Sequence, residues 1–379
     1  KQIYDERKHA YRHITKATTD LQVIEPSYQS PQGSKLKFVI KSLKLWFNIF
    51  LRRSHSHNTL PDIKAIRESD LIVCKGGHIL HTGGFKNRLG SLLAMLHYAY
   101  WPYVASLYNK KIIFFGHSFG PYLTTIDKKI AGFLLKKADF VFVRESLSKN
   151  LVLELGVTDN RVKLIPDLAF VLNGDYSQRV KALLKEFNLA SKEFAIITLR
   201  TWTVNQKKFL NEIADLLTKL LEKKFVKKVA IVVHTLGPIE DEDDSKVSEE
   251  LYALLKSLDE VILINEDLSP EELIALYGEA KILIGTRFHS VIFASIAGTP
   301  AYAISYAGPK AEGIMRMQDL GHLVQHISLF SAEKAFNDII RQDYFLWVDQ
   351  VKESVKHLKD ELDSLPVILH SLLEEEKHA

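Results

Sequence analysis

The chain has 379 residues, 46% of them apolar and 25% charged, an ordinary globular composition that excludes a collagen, a coiled coil and wholesale disorder. At about 150 residues per domain, this length predicts two domains. A formal charge of +4 is too small to mark a nucleic-acid binder, and no nucleic-acid partner is expected.

The basic excess is local, with 11 Lys and Arg against 4 Asp and Glu in residues 1–60. Cys74 is the only cysteine, so no disulfide can close within the chain and a reduced, cytoplasmic setting is expected. No apolar run reaches the length of a membrane-spanning helix, and the chain opens without a signal-peptide pattern.

Taken in chain order, short β-branched or aromatic runs alternate with amphipathic stretches. The first half predicts a helix at Gln2–Lys16, a strand at Leu21–Glu25 and a helix at Leu36–Leu51. Strands at Leu71–Cys74, Lys111–Phe115, Phe140–Val143 and Val162–Ile165 follow, separated by helices at Leu89–Leu107, Ile126–Lys137 and Glu145–Leu155. After a linker at Asn173–Gln178 the alternation resumes with strands at Phe194–Leu199, Lys228–His234, Val261–Ile264, Ile282–Ile284 and Ala301–Ser305. The intervening helices are predicted at Gln206–Leu221, Ser245–Leu258, Pro270–Tyr277 and His289–Ala297, and a helical tail at Phe345–Ala379.

The strands are continuous apolar runs, as in parallel sheets covered on both faces. The fold class is therefore α/β, with two Rossmann-like doubly wound domains facing a cleft. The expected divisions are 1–175, 176–345 and a helical tail at 346–379. A Rossmann half opens on a strand, whereas this chain opens on Lys1 and a helix-like segment. An opening strand and its loop are therefore expected to be missing from it.

Ligands in such folds sit beyond the carboxyl ends of the strands. The segment Ile282-Leu-Ile-Gly-Thr-Arg-Phe-His-Ser290 ends a strand and starts a helix there. Arg287 brings a guanidinium suited to carboxylate or phosphate, and His289 a group that exchanges protons near neutral pH. The structural alternative makes Arg287 an interdomain ion pair and His289 a cap. Arg200 closes the first strand of the second half in the same way.

The stretch Lys75–Gly84 carries four glycines, including Gly76 and Gly77, and two histidines, His78 and His81. It permits close backbone approach to a ligand but matches neither a P-loop nor a dinucleotide fingerprint. No carboxylate or cysteine completes a metal set there, and no metal is expected. Gly116-His-Ser-Phe-Gly120 fits the nucleophile-elbow spacing around Ser118, although Pro121 sits awkwardly for a helix that starts at once.

Asp167 either faces the cleft or caps a turn. The acidic run Glu240–Asp244 reads as a solvated loop that starts a helix. Lys35–Arg53 is a basic amphipathic helix, either packed on a sheet or resting on an anionic membrane surface.

Several of these segments together resemble the polysaccharide pyruvyl transferase family from about Leu21 to Met317. They are the Gly-Gly pair at 76–77, Gly116–Pro121, Val143-Arg-Glu-Ser146 with Leu155-Gly-Val157, and Pro166-Asp167. The most specific is Thr286-Arg-Phe-His-Ser290 running to Gly298-Thr-Pro300, closed by Ser305-Tyr306 and Lys310.

The resemblance implies a GT-B-like fold and transfer of the enolpyruvyl group of phosphoenolpyruvate to a sugar in a surface or extracellular polysaccharide. Phosphoenolpyruvate is the donor substrate, and no cofactor is called for. By position, Arg287 and His289 match the family's Arg-x-His as the catalytic pair. Arg200, Arg287, Phe288, His289, Ser290 and Lys310 are the expected donor contacts. Gly76, Gly77, His78, His81, Asn87, His117 and Ser118 are the expected acceptor contacts, toward a glycan that a lipid carrier could present at the membrane.

Two departures stand out. The family's opening strand with its Asn-x-Gly-Asp loop is absent, and His117 and Glu145 replace residues that are more often Gln and Asp. A nucleotide-sugar glycosyltransferase and a non-catalytic glycan binder on the same fold are the competing readings.

Overall fold

The computed structural model describes residues 61–75, 77, 80–82, 88–201, 205–237, 243–306 and 310–375. The elements expected at Gln2–Lys16, Leu21–Glu25 and Leu36–Leu51, the basic helix at 35–53 and the residues Gly76, His78 and Asn87 lie outside them. So does the question of an opening strand. The described chain forms two compact units that divide between Ile165 and Pro166.

The first unit contains helix α1 (Pro61–Glu68), strand β1 (Leu71–Lys75), α2 (Arg88–Leu107), β2 (Lys111–His117), α3 (Thr125–Leu135), β3 (Phe140–Val143), α4 (Ser146–Glu154) and β4 (Val162–Leu164). Its four strands run parallel in the order β1-β2-β3-β4. Strand β3 reads Phe-Val-Phe-Val and is buried at every position, as a strand with no polar face must be. Thr124 starts α3 with a reciprocal capping box to Asp127, which satisfies two of the helix's orphan N–H groups.

The second unit opens with a 3-10 turn at Leu168–Val171, α5 (Gln178–Glu186), β5 (Phe194–Thr198), α6 (Gln206–Glu222), β6 (Lys228–Val232), α7 (Ser245–Leu255) and β7 (Val261–Ile264). It continues through α8 (Pro270–Glu279), β8 (Ile282–Gly285), α9 (Phe288–Ile296), β9 (Ala301–Ser305), α10 (Lys310–Met317) and β10 (Val324–His326). The helices α11 (Ala332–Ile340), α12 (Tyr344–Asp363) and α13 (Leu365–Glu375) complete it.

The six strands run parallel in the order β10-β9-β8-β5-β6-β7. The chain thus winds one way from β5 to β7 and the other way from β8 to β10. Right-handed crossovers then put the helices on opposite faces on the two sides, and a crevice opens where β5 meets β8. Strands β5, β8 and β9 are buried at every position.

Both units are the Rossmann-like α/β domains that the apolar strand runs predict. Helix α5 occupies residues that the sequence reading leaves unassigned after the linker. It is short and polar, burying only Val180, Leu183 and Leu184, and Ser177 caps it. Strand β10 and helices α10 and α11 are likewise unassigned from sequence. Helix α12 packs on the turn at Leu168–Val171 and on α9. Its Lys359 ammonium donates to the Leu172 carbonyl at 3.3 Å and to Asn173 Oδ1 at 2.9 Å, so the tail belongs to the second unit. Among the described residues no helix is long and apolar enough to cross a membrane.

Candidate functional site

In the first unit the glycine-rich loop and the segment after β2 support each other. Ser118 N–H donates to the Gly77 carbonyl at 3.0 Å, and Thr82 N–H to that of Pro121 at 3.0 Å. His117 and Ser118 are both fully buried. The His117 ring lies against Phe119, and its Nε2 is 2.8 Å from the Cys74 carbonyl. Burial lowers its pKa to about 4.

Ser118 Oγ donates to Glu145 at 3.0 Å and accepts from Arg144 Nε at 2.7 Å. The second Glu145 oxygen accepts from Ser148. These two side chains are therefore parts of the fold rather than the glycan contacts that the sequence reading expects. Gly77 and His81 are half-buried.

The nucleophile-elbow reading fails for the same reason. No helix starts until Thr125, and a carboxylate and a guanidinium hold the hydroxyl in the interior. Ser118→Ala is accordingly expected to cost about 1–3 kcal/mol in chemical denaturation, since it strips hydrogen bonds from two buried charges. Its turnover should stay within a few-fold of wild type once folded. A loss of several orders of magnitude would restore the nucleophile. Asp167 resolves as a cap, accepting from Ala169 N–H at 2.9 Å.

The second unit concentrates its polar chemistry where the strand order reverses. Strands β5 and β8 pair with Thr198 opposite Gly285, so the residues that follow them emerge together at one end of the sheet. The β8–α9 turn is tightly built. Thr198 Oγ1 and Ser290 Oγ are 2.6 Å apart, and Ser290 Oγ donates to the Arg287 carbonyl at 2.7 Å. Ser290 is fully buried, so its hydroxyl clamps the first turn of α9 to β5 instead of standing ready for a donor.

Gly285 leaves room for that clamp. A Cβ there would lie 2.7 Å from Ser290 Oγ and 3.0 Å from Thr198 Oγ1. Gly285→Ala is expected to destabilise by about 1–3 kcal/mol through overpacking and to reduce activity, because Arg287 and His289 ride on this turn. Urea unfolding curves that superpose on wild type would contradict it.

Arg287 forms the backbone N-cap of α9. Its Nε donates to both Asp244 oxygens at 3.0 and 2.8 Å, and its Nη2 donates to Oδ1. Asp244 directly precedes α7 and has 0% side-chain exposure, against 14% for Arg287. It also accepts from Thr235 N–H at 3.2 Å. Asp244 therefore corrects the reading of run 240–244 as solvated, and the ion pair of Arg287, which the structural alternative puts between domains, lies inside one. Burial pushes the Asp244 carboxyl up to about 6, against the opposite pull of Arg287, the Thr235 N–H and Arg200.

Arg200 follows β5 and donates from Nη1 to the Tyr306 hydroxyl at 2.8 Å, with its guanidinium carbon 4.9 Å from the centre of the Tyr306 ring. Lys310, half-buried, starts α10 beyond β9. Phe288 is buried beneath the turn, whereas His289 is exposed, 5.1 Å from the Phe288 ring and 6.2 Å from that of Phe293. Behind it stands His234, with Nδ1 2.8 Å from the Tyr277 hydroxyl. Burial, then the charges of His289 and Arg287, lowers the His234 pKa to about 3, so this ring is neutral at working pH.

Arg200 and Arg287 thus meet near the Asp244 carboxylate at the reversal point, with His289 on the first turn of α9 and Lys310 at the start of α10. Among the described residues no three His, Cys, Asp or Glu side chains gather as a metal site. Sequence reasoning misses His234, Asp244 and Tyr277. His234 carried a usable signal, since it follows a buried strand just as Arg200 does. Asp244 carried a weaker one, its place directly before a helix.

A family model described as polysaccharide pyruvyl transferase matches residues 7–308. Amylovoran biosynthesis protein AmsJ of Erwinia amylovora is 26% identical over 233 residues, covering 59% of this chain and 55% of that protein. The chain thus spans about half the length of this curated relative.

Among solved structures, Anabaena HepE in complex with UDP and glucose superposes with a TM-score of 0.57 at 13% identity, covering 98% of this chain and 89% of that one. The UDP-GlcNAc 2-epimerase of Neisseria meningitidis bound to UDP-GlcNAc gives 0.59 at 11% identity, covering 97% and 89%. At such identities the likeness is one of fold, with two Rossmann-like domains in one chain in the GT-B-like manner.

Proposed function

This chain belongs to the polysaccharide pyruvyl transferase family, and on that premise we propose that it moves the enolpyruvyl group of phosphoenolpyruvate onto two hydroxyls of a polysaccharide sugar. The products are a pyruvate ketal and inorganic phosphate. The observation that carries this reading is the pair of arginines, Arg200 and Arg287, emerging from adjacent strand ends at the β5–β8 reversal beside the exposed imidazole of His289.

Phosphoenolpyruvate bears a phosphate and a carboxylate on one carbon, C2. Two guanidinium groups suit these two anions, and the start of α9 adds the positive end of a helix dipole. Asp244 holds one edge of the Arg287 guanidinium, which fixes its plane. Tyr306 does the same for Arg200 through its hydroxyl and ring.

His289 donates a proton to the methylene carbon. The cationic C2 that results takes up one sugar hydroxyl. Phosphate then leaves, and the second hydroxyl closes the ketal. One hydroxyl proton returns to His289 and the other leaves with phosphate, so the reaction balances without an oxidant or reductant. The arginines stabilise the charge that builds on the departing phosphate. His234, neutral and bonded to Tyr277, lines this site without competing as an acid.

A phosphate-release assay with phosphoenolpyruvate and a panel of galactosides, glucosides and N-acetylmannosaminides tests the proposal. The expected result is one phosphate per sugar that gains a methyl singlet in its proton spectrum. Failure to release phosphate with every acceptor, from folded protein that binds UDP, would overturn it in favour of a nucleotide-sugar enzyme.

A further inference from the structure

In the first unit, α3 presents an apolar stripe to solvent. Ile126 is 61% exposed and Phe133 53%, and Leu123 in the preceding turn is 45% exposed. Ile126 and Phe133 are two helical turns apart, so they share a face. Between them lies an open groove of about 310 Å³, walled by Leu96, Ala99, Ile130 and the stem of Lys129. Large side chains clustered on one exposed face mark a contact surface rather than the scattered apolar residues that any protein shows.

The charges around this stripe are of one sign. Lys129, Lys136 and Lys137 fall beside the stripe and are exposed, and Lys137 Nζ lies 4.9 Å from the centre of the Phe133 ring. Asp127, the helix's sole acid, is buried and turned inward. It accepts from Thr82 Oγ1 at 3.0 Å and from Thr124 N–H at 3.0 Å, so it offsets nothing on the outer face. Apolar side chains flanked by lysines with no outward acid are the pattern of a helix lying in a lipid–water interface, where the lysine stems cover apolar surface and their heads reach anionic headgroups.

We propose that α3, with Leu123, is a docking surface for an anionic lipid membrane. Phe133 and Ile126 enter the acyl boundary, and Lys129, Lys136 and Lys137 pair with lipid phosphates. The proposal is independent of the donor's identity, and it concerns a different segment from the basic stretch at 35–53.

The test is co-sedimentation of the full chain with mixed phosphatidylglycerol–phosphatidylcholine vesicles and with pure phosphatidylcholine vesicles. It compares wild type, Ile126→Ser/Phe133→Ser and Lys129→Glu/Lys137→Glu. Wild type is expected to bind the anionic vesicles, to bind pure phosphatidylcholine at least about tenfold more weakly, and to release as salt rises. Both variants should lose about tenfold or more in affinity for the anionic vesicles with unchanged thermal unfolding, because the replaced side chains are exposed.

Absence of wild-type binding would overturn the proposal, as would full binding by both variants, which would put the contact elsewhere in the chain. A wild-type dimer that the Ile126→Ser/Phe133→Ser variant converts to monomer, with no vesicle binding, would overturn it in favour of a second copy of the chain.

Discussion

His289→Ala is expected to lower turnover by about 10²- to 10⁴-fold, the usual worth of a positioned general acid, with a melting curve that overlays the wild type. The imidazole is exposed on the first turn of α9, and the turn itself is held by Ser290, Thr198 and Asp244 rather than by this ring. Exposed substitutions of this kind shift stability by no more than about 0.5 kcal/mol. His289→Gln should fail equally, since it keeps a hydrogen-bonding side chain but has no proton to give. A His289→Gln enzyme with near-normal turnover would reassign the residue to anion binding alone.

Arg287→Ala is expected to fail in two ways at once, and here the structure changes the expectation. A guanidinium that served only a ligand could be removed without structural cost, but this one compensates a buried carboxylate. Breaking a buried pair from one side costs up to about 3–5 kcal/mol, an upper bound because Asp244 can escape by taking up a proton.

The sign follows from its pKa. A folded-state value raised from the ordinary carboxylate value of 3.8 to about 6 means that the folded protein binds the proton more tightly than the unfolded chain does. The stability Asp244 contributes is therefore present in full below about pH 4 and lost as pH rises through about 6. Removing Arg287 raises that folded-state value further. The variant's deficit against wild type should then be small near pH 5 and large near pH 8.

Adding Asp244→Asn should return most of the stability at pH 8 and none of the activity. Chemical denaturation at the two pH values, with phosphate release on the same samples, checks both halves. A deficit independent of pH would mean that the Asp244 carboxyl does not titrate in this window.

How much of this was legible in the sequence depends on how local the cause is. The buried strands announce themselves because Phe-Val-Phe-Val at 140–143 or Ile-Leu-Ile-Gly at 282–285 has no polar face to expose. Their bounds follow from sequence within about two residues, as does the placement of Arg200 and Arg287 after strand ends. The capping box at Ser269 with Glu272 and Pro270 marks the start of α8 in the same way.

Partners distant in the chain are another matter. Asp244 lies 43 residues from Arg287, and its place directly before a helix sets it only weakly apart from the four acids before it. What singles it out is the adjacency of β6 and β5 in the sheet, a fact of strand order. His117 and Ser118 fail for the opposite reason. They occupy a strand end, where a ligand contact is a fair expectation, but Phe119 and Glu145 turn them inward. Position after a strand identifies candidates. Burial and hydrogen bonding then sort those that meet solvent, such as His289, from those that hold the loop.

Calorimetric titration of phosphoenolpyruvate into the full chain reports whether a doubly anionic donor binds at the β5–β8 reversal of the second unit. Wild type is expected to bind saturably, with an affinity that Arg200→Ala weakens at least about tenfold, the scale of one charge-assisted hydrogen bond, and that Ile126→Ser/Phe133→Ser leaves untouched. Phosphoenolpyruvate affinity that is unchanged in Arg200→Ala and Arg287→Lys alike would contradict binding at this reversal.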